Sequence, residues 1–269
     1  MIELPIEVQF SLVLLASLAS LVVGFVLGRR RRRWAIAALV IGFATLAVSI
    51  LPRLFPPELY FLFPSSYLGE IALGGAFLMS GVLAATYANS AFRIILQVIL
   101  APLMVYFVLG APGYLAFNAD YIRGLDYEVV DGVTLQSDNF GCVPSSLATV
   151  FRRYGLEYTE GELAYALRTT PMGTDFNHIP QVVRELGRPA GLEVEFLRTT
   201  VDELRRIDRP GVLIVYSGRI LHAVALLGFS GDDIVIGDPL SGIRRIRADE
   251  FESTTRWTRL AALVWKPGA

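Results

Sequence analysis

The sequence predicts an α+β protein in three parts. Residues 1–115 read as a bundle of four transmembrane helices, residues 116–132 as a juxtamembrane connector, and residues 133–269 as a domain with a helical front half and an antiparallel sheet behind it. Three observations carry this. The chain is 54% hydrophobic and 18% charged over 269 residues, with mean hydropathy +0.51. That excess of apolar residues lies mostly before residue 111. Beyond residue 132 helical spacing comes first and alternating spacing later, and helices followed by strands is the α+β order.

Apolar runs of about 18 residues or more with few charges are candidates for spanning a bilayer. Four such runs stand at Val8–Gly28, Trp34–Leu51, Tyr67–Tyr87 and Ala91–Gly110. Residues 1–10 hold Glu3 and Glu7 and no Lys or Arg. The first run therefore reads as a retained helix rather than a cleaved signal peptide, which needs a positive start. Arg29–Arg33 lie between the first and second runs, and Arg93 lies between the third and fourth. Basic short loops stay cytoplasmic. This predicts a multi-pass protein of the cytoplasmic membrane, with membrane lipid as a partner and the 133–269 domain extracytoplasmic. Glu70 and Arg93 fall near span ends, where interfacial placement explains them.

Charge excludes one class of partner. Residues 1–110 hold seven basic and four acidic residues, and the remainder holds 17 basic and 21 acidic. A mildly acidic domain without a basic cluster argues against nucleic acid. The arginine run is explained by its place between two spans. No G-x-x-x-x-G-K-[ST] occurs, so no ATP site is expected. One cysteine allows neither an internal disulfide nor a cysteine-based zinc site, and no cofactor is expected.

In the 133–269 domain a helix is predicted over Val143–Tyr154, with Pro144 in its first turn and Gly155 at its stop. Thr159–Glu162 and Thr200–Glu203 carry capping-box spacing, each before a short helix. A third helix runs over His178–Leu186. "GLEVEFLR" alternates as a strand, and five more strands are predicted at 212–216, 222–229, 234–238, 243–247 and 260–265.

Cys142 stands where a loop gives way to a helix. Free amides and the helix dipole at such a start favour a thiolate. In an oxidising compartment a lone thiol points to catalysis. Its base is sought among two histidines. His222 begins an apolar strand, where a polar ring belongs only if it faces a cleft. His178, beside a helix start, reads as a capping or surface residue. Asp238 ends the next strand and is placed to orient His222. Gln136, six residues before Cys142, offers a side-chain amide to a developing oxyanion.

Gln136-x5-Cys142, a helix closing on "YG", "LHAVALLGF" and "IGDPLSGIRRIRADEF" together resemble the double-glycine-leader peptidases. These are papain-like cysteine peptidase domains fused to bacteriocin-exporting transporters, with stand-alone relatives. The likeness covers about residues 133–266, and "GTDF" at Gly173–Phe176 is similar to the family's stretch after the second helix. It implies a papain-like fold, a peptide or protein substrate, Cys142 as nucleophile, His222 as base, Asp238 as orienter and Gln136 as oxyanion donor. Two positions depart from the family. Val143 replaces a glycine after the cysteine, which narrows the cleft, and Gly141 replaces an acid before it. The residues alone leave two other readings open: a thiol acyltransferase or amidase of transglutaminase type, and a catalytically silent peptide-binding or signalling domain.

Overall fold

A computed structural model describes residues 6–30, 32–54, 68–86, 111–171, 173–218 and 220–268. The chain divides into two compact units, Met1–Phe117 and Asn118–Ala269.

The first unit contains α1 (Ile6–Arg30), α2 (Arg32–Leu54) and α3 (Leu68–Thr86). Glycines let these helices approach closely. A Cβ on Gly24 would stand 2.1 Å from the Leu78 carbonyl oxygen, and one on Gly81 would stand 2.1 Å from that of Leu21. Ala35, Ala38, Ala76, Met79 and Val82 are buried between helices, while Leu15, Val22, Val40 and Phe43 are exposed.

The expectation of four transmembrane helices is overturned. Among the described residues no helix is long and apolar enough to cross a membrane. The predicted fourth run, Ala91–Gly110, lies outside the described residues. The multi-pass localisation and the extracytoplasmic placement fall with the spans, as does the compartment argument for Cys142. The physical reason is that an apolar run does not say what its side chains face. A helix that is hydrophobic all round can serve a protein core as well as lipid, and α1 to α3 spend part of theirs on one another. The runs are also bounded by charge within the helices: Glu7, Arg29 and Arg30 on α1, Arg32, Arg33 and Arg53 on α2.

Helix α4 (Ala111–Arg123) leaves helical dihedrals at Asn118. A hairpin follows, β1 (Glu128–Val130) with β2 (Val133–Leu135). Its turn residues Asp131 and Gly132 have φ of 51° and 80°. Asp-Gly between extended residues is the sequence signal for such a turn.

The main sheet has six strands in the order β3-β8-β4-β5-β6-β7, every neighbour antiparallel. They are β3 (Glu193–Arg198), β4 (Gly211–Ser217), β5 (Ile220–Ser230), β6 (Asp233–Asp238), β7 (Gly242–Arg247) and β8 (Leu260–Trp265). Alternation divides each central strand between two cores. Val212, Ile214, Ala223, Ala225 and Ala262 pack under α5 (Cys142–Arg152), α6 (Glu160–Ala166) and α7 (Ile179–Leu186). Leu213, Val224, Leu226, Ile236 and Leu263 pack against Leu204 of α8 (Val201–Ile207) and Phe251 of α9 (Ala248–Thr255). Phe151 and Phe251 are fully buried, each contributing roughly 2–3 kcal/mol of transfer free energy. The two capping boxes form, at Thr159 and at Thr200.

Candidate active site

The α5 helix begins at Cys142 with Gly141 as N-cap. Asp138 Oδ1 accepts the Phe140 N–H at 2.9 Å, a local turn that delivers the chain to the helix start. Pro144 sits in the first turn, where a missing N–H costs no helical bond. Val143, Leu147, Val150 and Phe151 are buried in the core beneath the helix. Cys142, at the margin of that core, stays partly exposed. Val143 therefore does not narrow the cleft: its side chain is 1% exposed and packs into the core.

His222 and Asp238 come together through strand register. Ala225 pairs with Gly237 between β5 and β6. One step further puts Asp238 across from Val224, so His222 is its diagonal neighbour on the same face. His222 Nε2 lies 2.9 Å from Asp238 Oδ1, and both side chains are buried. The Leu240 N–H donates to the same oxygen at 3.0 Å, and Arg244 donates to Oδ2 at 3.3 Å.

These contacts fix charges. Burial alone raises the Asp238 pKa, but hydrogen bonds from His222, Leu240 and Arg244 and the His222 charge outweigh it and lower it to about 2. Burial lowers the His222 pKa, yet hydrogen bonds with Asp238 and Cys142 and their negative charge raise it to about 9. The imidazole is thus held protonated at neutral pH between a carboxylate and the thiol. With Nε2 on Asp238, Nδ1 is the ring nitrogen left for Cys142. A cavity of about 80 Å³ reaches the pair, bordered by Tyr216, Ser217, Arg244 and Thr255.

The loop ahead of α5 is tied to the same strand end. Gln136 N–H donates to the Pro239 carbonyl at 3.0 Å, one residue past Asp238. The Gln136 side-chain NH₂ donates to the Asp138 carbonyl, and its Oε1 is buried without a partner. Strand β2 is anchored to α5 by Thr134 N–H on Thr149 Oγ1 at 2.9 Å. His178 is placed otherwise. Its Nδ1 lies 2.9 Å from the Leu167 carbonyl, joining the end of α6 to the start of α7. Asp175, in the quoted "GTDF", caps the short turn of helix that carries it.

Sequence reasoning missed Arg244 and Glu160. Arg244 pairs with Ile236 on the neighbouring strand and lies diagonal to Asp238, and its only sequence signal was a basic residue six positions after that aspartate. Glu160 stands in the capping-box stretch and looked like an ordinary first-turn acid. It is fully buried and accepts the Ser137 N–H on Oε2 at 2.9 Å. Burial raises its pKa to about 7, with Asp138 nearby adding to the rise and Ser137 and Ser145 opposing it. Among the described residues no group of three His, Cys, Asp or Glu is placed to hold a metal ion. A protonated imidazole beside a partly exposed thiol, at a helix start, can carry out acyl transfer through sulfur.

Comparison with known proteins gives the peptidase C39 family as matching residues 131–268. An uncharacterized protein of Methanothermobacter marburgensis is 29% identical over 119 residues, covering 44% of this chain and 79% of its own. The pediocin PA-1 transport/processing ATP-binding protein of Pediococcus acidilactici is 23% identical over 134 residues, covering 49% of this chain. The chain spans 18% of that transporter's length. The crystal structure of the peptidase domain of Streptococcus ComA, described as a bi-functional ABC transporter, is 25% identical. The match covers 49% of this chain and 96% of that one, with a TM-score of 0.43.

Proposed function

The chain belongs to the peptidase C39 family and is a cysteine-type peptidase, and on that premise we propose how its residues divide the work. Cys142 is the nucleophile, His222 the acid and base, Asp238 the group that orients His222, and Gln136 an oxyanion donor. The observation that carries this reading is the buried 2.9 Å contact between His222 Nε2 and Asp238 Oδ1, with Cys142 acting on the same ring. The catalytic unit is the 133–269 domain.

In this scheme the Cys142 sulfur attacks the scissile carbonyl carbon and a C–S bond forms. The carbonyl oxygen becomes an oxyanion, met by the Gln136 amide and by N–H groups at the α5 start. As the oxyanion collapses, the C–N bond breaks and the His222 imidazolium gives its proton to the leaving amine. Neutral His222 then takes a proton from water, which adds to the thioester. The C–S bond breaks, releasing a carboxylate and restoring the thiolate–imidazolium pair. Asp238, ionised across this cycle, keeps the ring turned so that Nδ1 faces sulfur.

The substrate is a peptide whose leader ends in Gly-Gly. Family membership and the processing activity named for the pediocin transporter support this class. Incubation with paired leader peptides, one with Gly-Gly and one with Leu-Leu before the cleavage site, tests it by mass spectrometry. Cleavage after Gly-Gly with a free carboxylate is the expected result. Equal cleavage of both peptides would end the double-glycine reading, and amine adducts in place of a carboxylate would replace hydrolysis with acyl transfer.

A further inference from the structure

Glu160 lies outside the scheme above, yet it touches the segment that the scheme depends on. Gly141 immediately precedes the nucleophile. A Cβ on Gly141 would meet Glu160 Oε1 at 1.9 Å and Asp138 Oδ1 at 3.2 Å. The Glu160 carboxyl therefore occupies the space that a side chain at position 141 would take. Its other oxygen holds the Ser137 N–H at 2.9 Å, next to Gln136. Glu160 Oε1 is buried without a hydrogen-bond partner of good geometry, as is the Ser145 hydroxyl on the first turn of α5. A fully buried acid with one oxygen unsatisfied costs stability. The packing keeps it at the one place where it braces both ends of the Gln136–Gly141 loop.

We infer that Glu160 is a positioning residue for the peptidase reaction, holding the loop between Gln136 and Cys142 so that the oxyanion donors meet the substrate carbonyl. The inference rests on the proposed roles of Cys142, His222 and Gln136. It does not make Glu160 a catalytic residue, because its carboxyl acts through Ser137 and through the volume beside Gly141. The groups facing it are the Ser137 N–H and hydroxyl, the Asp138 carboxyl on the same loop, and the Ser145 hydroxyl of α5. Geometry of this kind matters because a misplacement of about 1 Å in a reacting group costs on the order of 10²-fold.

Two reactions of the same thiol separate loop position from nucleophile strength. Alkylation by iodoacetamide needs the Cys142–His222 pair and builds no oxyanion. Hydrolysis of a peptidyl-Gly-Gly-aminomethylcoumarin needs both. For Glu160→Ala and Gly141→Ala we expect kcat to fall about 10²-fold, KM to stay within about 3-fold and the alkylation rate to stay within about 3-fold. Glu160→Gln, which still accepts the Ser137 N–H, should keep kcat within about 5-fold of wild type. Gly141→Ala should cost little more in the Glu160→Ala background, because the clash partner is gone. If hydrolysis and alkylation fall together in Glu160→Gln and Gly141→Ala, Glu160 supports the nucleophile or the fold and this inference is wrong. Unchanged hydrolysis in all three variants makes Glu160 mere packing and also overturns it. A wild-type protein that cleaves nothing and alkylates like a free thiol would defeat the proposed roles first, and this inference with them.

Discussion

Two buried carboxyls, one behind His222 and one against the loop ahead of Cys142, end up in different charge states. Asp238 receives the His222 ring, the Leu240 N–H and Arg244, and its pKa is lowered to about 2 despite burial. Glu160 receives the Ser137 N–H, has Asp138 as a like-charged neighbour, and its pKa is raised by burial to about 7. The difference lies in the donors rather than in depth. A carboxylate is kept ionised inside a protein by the hydrogen bonds and opposite charge it meets. Asp238 can therefore serve as a permanent anion behind His222, while Glu160 braces the loop in either protonation state.

The largest expected effect removes what the Asp238 side of this comparison serves. Cys142→Ala should lower peptide hydrolysis by on the order of 10⁵-fold or more, measured by product formation. A residual rate within tenfold of wild type would mean that another group carries the reaction.

Asp238→Asn comes next. It keeps the shape but removes the charge and donates toward His222, which favours the wrong ring orientation. A kcat loss of about 10³–10⁴-fold is expected. The basic limb of the kcat/KM profile should move as well, dropping from near 9 toward the ordinary histidine value, since the leaving amine needs the His222 proton and Asp238 is a cause of the raised His222 pKa. Stability follows the same groups. The Asp238 contribution is complete above pH about 4 and is lost as pH falls toward 2. The His222 contribution is complete below pH 6.5 and is lost as pH rises through 9. Urea unfolding should show the excess of wild type over Asp238→Asn greatest between about pH 4 and 6.5.

Glu160 has the opposite sign from Asp238. Its pKa is raised from 4.5 to about 7, so the stability linked to its neutral form is complete below pH 4.5 and is lost as pH rises through 7. Wild type should gain on the order of 2–3 kcal/mol between pH 8 and pH 5 relative to Glu160→Gln. Parallel pH profiles for the two proteins would show that Glu160 titrates like a surface acid.

The smallest effect concerns the other histidine. His178→Ala should cost about 1–2 kcal/mol by losing the bond to the Leu167 carbonyl, with kcat and the alkylation profile unchanged. A 10²-fold drop in kcat would bring His178 into the reaction and undo its separation from His222.

Much of the fold beyond residue 132 was legible because it obeys local rules. "LAALVW" is strand β8, with the predicted bounds 260–265, and both Thr-x-x-Glu patterns form capping boxes. Helix α5 starts at Cys142, one residue before its predicted start, and places Pro144 in its first turn. The β1–β2 hairpin was announced by Asp131-Gly132 and passed over in favour of a connector. Helix α9 was hidden because "ADEFESTT" is polar except at Ala248 and Phe251, and two apolar residues give no period. The N-terminal reading failed for the reverse reason: apolar runs are loud in sequence but silent about what they face. The meeting of Asp238 with His222 was legible through the strand-and-turn spacing between them. Glu160 was not, because nothing in "TEGE" tells that its first glutamate turns inward to fill the space over Gly141.

The sequence by itself determined most of the helices and strands beyond residue 132, both capping boxes, and that a single thiol stands at a helix start. Those are properties of neighbours along the chain, set by backbone preference and side-chain period. Only the tertiary structure decided which histidine meets an acid, which acid is ionised and which oxygen fills the gap beside Gly141. These depend on strand register and on donors brought from residues 16 to 23 positions away, and electrostatics inside a protein is set by such distances rather than by order in the chain.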